Sequence, residues 1–256
     1  MRDVQAPTGR FTDIAPVGGG FGGVLWGSAG IVVAWEDYQQ YQDKALLNEH
    51  YEAMTKYIDY LSSTLDKDTG LSSDATLGDW LGPQNNQLGT SYLVTAYHVY
   101  DLWIMSQVAK VLAKDADAEK FSKLYSERKA FFNKTFVNVD HKTVGLVGGG
   151  FFSREQPHWQ VADTQTSYAV GLALNVFSEE NIPFMVKNLA ETISRKNKGD
   201  DGVMRGEFAL MTGFIGTAWI NKALSDYGYP ELSALTRKHE YTCSIVVAEG
   251  ISYDSI

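Results

Sequence analysis

From about residue 25 onward the apolar positions recur every three to four residues. Ile31, Val32, Trp35, Tyr38 and Tyr41 predict a helix opening near Trp26. After a break near Asp43, Leu46, Leu47, Tyr51, Met54, Tyr57, Ile58 and Leu61 form the stripe of a second helix, Ala45 to Ser63. The same pairing recurs. Thr90 to Ala113 is followed by Ala116 to Phe136, Asp163 to Val176 by Glu179 to Lys196, and Thr212 to Asp226 by a weaker Glu231 to Lys238. Connections within a pair are a few residues long, as helical hairpins require. Those between pairs are long and rich in Gly and Asp. The pattern predicts an all-α fold of about four hairpins, with no strand series and no tight repeat period. Residues 1–24, broken by Pro7, Gly9, Pro16 and five glycines between 18 and 23, are expected to be irregular.

Alternating short and long connections suit an α/α toroid, in which hairpins stand side by side and long loops gather at one end. Binding residues then belong on those loops. An open α-solenoid, which gives the same helices without converging loops, is the alternative.

Composition narrows the partners. A net charge of -9 and a pI of about 5.0 argue against nucleic acid and offer no basic patch for an anionic membrane. No apolar run approaches the roughly 20 residues of a membrane span, and Met1 to Arg10 carries no signal-peptide pattern. Cys243 is the only cysteine, so neither an intrachain disulfide nor a Cys-based metal cluster is expected. The five histidines form no i, i+4 metal pair with an acid. The triplets Gly18–Gly20 and Gly148–Gly150 lack the Lys-Ser/Thr of a phosphate loop. No cofactor or metal is expected.

The most informative stretch is Leu77-Gly78-Asp79-Trp80-Leu81-Gly82-Pro83, a loop between long helices. A carboxylate beside an indole suits a sugar: the acid accepts hydroxyl hydrogen bonds and the ring stacks on a C–H face. A helix-capping Asp with a Trp filling the core beneath it fits the same residues. Glycoside hydrolysis normally takes two carboxylates, and the loop or helix-start candidates are Asp13, Glu36, Asp79, Glu155, Asp163, Asp200, Asp201, Glu207 and Glu249. Asp79 is the best placed. Asp163 reads equally as an N-cap, Asp200 and Asp201 as turn acids, and Glu36 as a helix-surface residue.

The order of motifs resembles a known family. Phe11-Thr12-Asp13-Ile14-Ala15-Pro16, Leu25-Trp26-Gly27-Ser28-Ala29 and Gly78-Asp79-Trp80-Leu81 come first. Asp163-Thr164-Gln165-Thr166-Ser167-Tyr168-Ala169 and Thr212-Gly213-Phe214-Ile215-Gly216-Thr217 follow. Over roughly residues 10 to 235 the chain resembles the six-hairpin catalytic domain of bacterial α-L-rhamnosidases, glycoside hydrolase family 78. The resemblance implies an (α/α)6 barrel and inverting hydrolysis of terminal α-L-rhamnosides, with a rhamnose-containing oligosaccharide or glycoside as partner. It implies Trp26 and Trp80 as aromatic walls of the rhamnose subsite and Asp79 as a polar contact there. Asp163 and Thr212 to Thr217 become structural, and Ser28, where many relatives carry Asp, receives no role.

The family's general acid lies in an Arg-Asp-Glu motif upstream of Asp13 to Pro16, and its base in a Trp-Glu motif after the last hairpin. Neither stands at a matching position, and Glu249 lacks the preceding Trp. The catalytic residues are therefore left unassigned. The expected organisation is an irregular segment 1–24, a partial (α/α)6 domain over 25–240 and a divergent tail 241–256. The expected behaviour is that of an internal barrel segment with little or no activity alone. The alternatives are a non-catalytic carbohydrate-binding or scaffold module and, from another class, a helical-repeat interaction protein.

Overall fold

A computed structural model describes residues 1–74, 76–149 and 155–236. Cys243, Glu249, the 241–256 tail and the end of the Glu231 to Lys238 helix lie outside these residues. A single-turn helix α1 (Val24–Gly27) leads through Ser28 into α2 (Ala29–Tyr41), which pairs with α3 (Ala45–Ser63). After the long loop comes the short α4 (Asn85–Leu88), then the pair α5 (Thr90–Val111) and α6 (Asp115–Phe136). The next pair is α7 (Gln165–Ala173) with α8 (Ile182–Ile193). Helix α9 (Phe214–Asp226) is followed by a helical stretch over 230–236 that returns to it through a Ser233 to Asn221 hydrogen bond of 2.8 Å.

Helices α2, α5, α7 and α9 form an inner row, each packed against the next. Helix α5 is buried all round, from Tyr92 and Leu93 to Val108 and Ala109. Such a helix needs neighbours on every side. The outer helices are amphipathic: α8 buries Met185, Leu189 and Ile193, one turn apart, and α6 buries Phe132 and Phe136. Those two rings pack edge-on against Tyr92 of α5, at 5.0 and 5.4 Å between centroids. Pro183 at the start of α8 and Asn175 in the left-handed region after α7 make both helices shorter than the periodicity predicts.

Two short antiparallel ribbons, absent from the sequence expectation, lie in the long connections. Strand β1 (Val144–Val147) pairs with β2 (His158–Val161), with Val144 opposite Val161 and Val147 opposite His158. Strand β3 (Asn197–Lys198) pairs with β4 (Met204–Arg205). Strands of two to four residues are too short to print a period in the sequence, and their pairing depends on closing a loop.

The long connections converge. Thr76 Oγ1 donates to the Gly22 carbonyl at 2.7 Å, Gln160 Nε2 to the Gln87 carbonyl at 2.9 Å, and the Asn86 N–H to Asp200 at 2.8 Å. The Asp200 N–H reaches the Pro83 carbonyl at 2.7 Å. These hydrogen bonds gather the long connections on one face of the helix row.

Candidate functional site at the loop face

The loop around Asp79 is built onto the start of α9. That helix begins after Gly213, which has no side chain to cap the first N–H groups. Asp79 caps them from across the molecule. Its carboxylate accepts from the N–H of Gly213 at 2.8 Å, Ile215 at 3.0 Å and Gly216 at 2.8 Å, and also from the Thr166 hydroxyl of α7. Negative charge at a helix N-terminus is favoured by both the free N–H groups and the helix dipole. Asp79 is 2% exposed, and both oxygens are filled by the chain's own donors. The carboxylate expected to contact a sugar is thus engaged by four donors of the chain itself.

The next residue, Trp80, meets the same helix start. The Trp80 carbonyl accepts from Phe214 N–H at 2.9 Å, so the loop and helix start are joined on both sides of Gly213. A Cβ on Gly213 would collide with the carbonyl oxygens of both Asp79 and Trp80. Gly213→Ala is therefore expected to cost about 2–3 kcal/mol, because packed backbone has no rotamer to yield. A lowered urea midpoint with an unchanged m-value would register it.

Trp80 is 38% exposed and makes an edge contact with Trp26, centroids 6.3 Å apart at 63°. Phe214, 59% exposed, extends the surface from the other side at 5.3 Å. Trp26 is half-buried and sits on Gly22, where a Cβ would overlap the indole. The Gly22 N–H is in turn held by Asp13. The Phe11 to Pro16 and Leu25 to Ala29 motifs thus meet at one ring. Phe214 is the member that sequence reasoning missed. An aromatic residue opening a helix reads as core, and only its partners reveal that it faces outward.

The other loop residues do different work. Trp159 packs on Phe136 at 5.7 Å. Asp163 accepts from Tyr168 Oη at 2.5 Å, Lys142 Nζ at 3.2 Å and Arg195 Nη1 at 2.8 Å, while Thr164 is the true N-cap of α7. Burial opposes ionisation of Asp163, yet the hydrogen bonds from Tyr168 and Arg195 prevail and hold its pKa below the usual value. Its contribution to stability is consequently complete above about pH 4, falls away as the pH drops below the unfolded value of about 3.9, and is gone below the folded one. The stability difference between wild type and Asp163→Asn, followed from pH 6 to pH 2, is expected to shrink over that window. Asp201 is bound by Arg205 at 2.8 Å. Glu36 and Glu207 are exposed. Among the described residues no group of three or more His, Cys, Asp or Glu side chains could hold a metal ion, and no helix is long and apolar enough to cross a membrane.

Helix pairs standing side by side, with their loops knit over an aromatic surface, define a helical-hairpin domain with a loop face. The chain belongs to the bacterial α-L-rhamnosidase six-hairpin glycosidase domain family, whose model matches residues 1–244. An α-L-rhamnosidase of Streptomyces avermitilis is 28% identical over 236 residues, covering 91% of this chain and 20% of that protein. One from Formosa agariphila is 29% identical over 214 residues, covering 81% and 20%. The crystal structure of the Streptomyces avermitilis enzyme complexed with L-rhamnose superposes with a TM-score of 0.72 at 26% identity, over 91% of this chain and 20% of that one. The α-L-rhamnosidase of Dictyoglumus thermophilum gives 0.71 at 30% identity, over 91% and 24%. The chain thus spans about a fifth of the length of the relatives it matches. The mostly helical architecture expected from the sequence is the one found, and it matches six-hairpin rhamnosidase domain structures.

Proposed function

We propose that this chain supplies the rhamnose-facing aromatic wall of an α-L-rhamnosidase domain, and that as an isolated polypeptide it binds the sugar with little or no turnover. The complete protein then carries out inverting hydrolysis of terminal α-L-rhamnosides. The observation that carries this reading is the Trp26–Trp80 pair, partly open to solvent on a face where several long loops converge. Two indoles meeting edge to face present a corner, which suits the C–H faces of a deoxy sugar and its methyl group. Phe214 lengthens one side of that corner. Asp79 serves the site by holding Trp80.

Four of the candidate carboxylates are already engaged, which supports the reading of little turnover. Asp79, Asp163, Asp200 and Asp201 each accept from the chain's own donors, which leaves them poorly suited to the paired acid and base of glycoside cleavage. That observation also favours the second reading, a carbohydrate-binding module without catalysis. The division proposed is an irregular opening over 1–24 followed by the helical domain from 25. Titration of the purified chain with L-rhamnose by tryptophan fluorescence, beside a chromogenic α-L-rhamnoside assay, tests the proposal. Saturable quenching without hydrolysis is the expected result. Robust turnover would overturn the inactive reading, and the absence of any saccharide response would overturn the sugar site.

A further inference from the structure

We propose that Ser28 and Asp101 form a buried clamp that sets the position of Trp26, making Asp101 a positioning residue for the aromatic wall. Its bearing on sugar binding rests on the function proposed above; the clamp itself does not. Ser28 joins α1 to α2, two residues after Trp26, and its hydroxyl donates to Asp101 of α5 at 2.5 Å. Both side chains are fully buried, and Oδ1 of Asp101 has no hydrogen-bond partner among the described residues. Burial pushes the Asp101 carboxyl well above the usual carboxylate range, with the Ser28 hydrogen bond acting in the opposite sense. A carboxyl group in a helix core with one partner is costly where an apolar side chain would fill the space. The bond it makes is therefore the feature to explain.

That bond ties to α5 a turn whose Val24 and Leu25 are already packed in the core. Helix α1 is a single turn, too short to hold its own shape. A third element reaches the same turn: Tyr57 of α3 donates to the Val24 carbonyl at 3.4 Å, and a Cβ on Gly27 would lie 2.8 Å from that hydroxyl. Asp101 and Tyr57 thus grip the turn from two helices, with Trp26 projecting from it toward Trp80.

Two indoles at 6.3 Å in an edge arrangement couple electronically, so the pair has an exciton circular-dichroism couplet that needs no ligand to be seen. The couplet is defined by subtracting the spectra of Trp26→Phe and Trp80→Phe. Ser28→Ala and Asp101→Leu are expected to lose it while keeping the helical signal. Asp101→Asn, which still accepts from Ser28, is expected to retain it. Ser28→Ala is also expected to bind L-rhamnose about fivefold more weakly. If Asp101→Leu fails to fold, Ser28→Ala and Asp101→Asn decide by the same spectrum. A wild-type couplet in Ser28→Ala, or its loss in Asp101→Asn, would overturn the clamp. A couplet that behaves as expected in a protein with no rhamnose response would leave the clamp standing and remove the sugar reading alone.

Discussion

Asp79→Ala is expected to lower the unfolding free energy by about 3–5 kcal/mol, the largest effect of any single side-chain truncation at this face. The substitution strips the acceptor from three N–H groups at the start of α9 and from the Thr166 hydroxyl, in a site that is 2% exposed. Each buried donor left unsatisfied costs about 1–3 kcal/mol, and water entering the space recovers part of that. Asp79→Asn should cost less, about 1.5–3 kcal/mol, because one oxygen still accepts while the amide nitrogen faces N–H groups it cannot serve. Urea denaturation of the two variants measures both numbers. A loss under about 1 kcal/mol for Asp79→Ala would mean that α9 is not held by this carboxylate.

Trp80→Ala is expected to weaken L-rhamnose binding about tenfold or more, a loss of about 1.4 kcal/mol, while leaving the fold intact. The indole is more than a third exposed and its ring contacts are with Trp26 and Phe214, so truncation removes the wall and little of the core. Trp80→Phe should recover part of the affinity because a flat face remains. Isothermal titration with L-rhamnose reads both. Equal affinity in wild type and Trp80→Ala would place the sugar elsewhere.

The helices were legible because burying a face imposes a period, and α5 and α6 begin and end within a few residues of where that period places them. Trp80 stood out as an indole beside a carboxylate in a glycine-flanked loop, and Trp26 through the family resemblance of its motif. Which helix Asp79 caps was not legible. Its donors lie 87 to 137 residues away along the chain, and nothing local distinguishes a sugar-facing carboxylate from one that caps a distant helix. The Ser28–Asp101 bond spans 73 residues and was hidden for the same reason. Phe214 lay within a motif whose pattern reads as the buried start of a helix; its exposure is set by Gly213, which lets the Trp80 loop approach from one side.

The measurement that tests the central claim most directly is the indole N–H spectrum of the 15N-labelled chain during titration with L-rhamnose. The chain has six tryptophans, and Trp26→Phe and Trp80→Phe assign the two resonances of interest. Saturable shifts confined to Trp26 and Trp80 are the predicted result. Shifts centred on other indoles such as Trp159, or none at sugar concentrations that saturate the complete family enzymes, would contradict an aromatic rhamnose wall at this loop face.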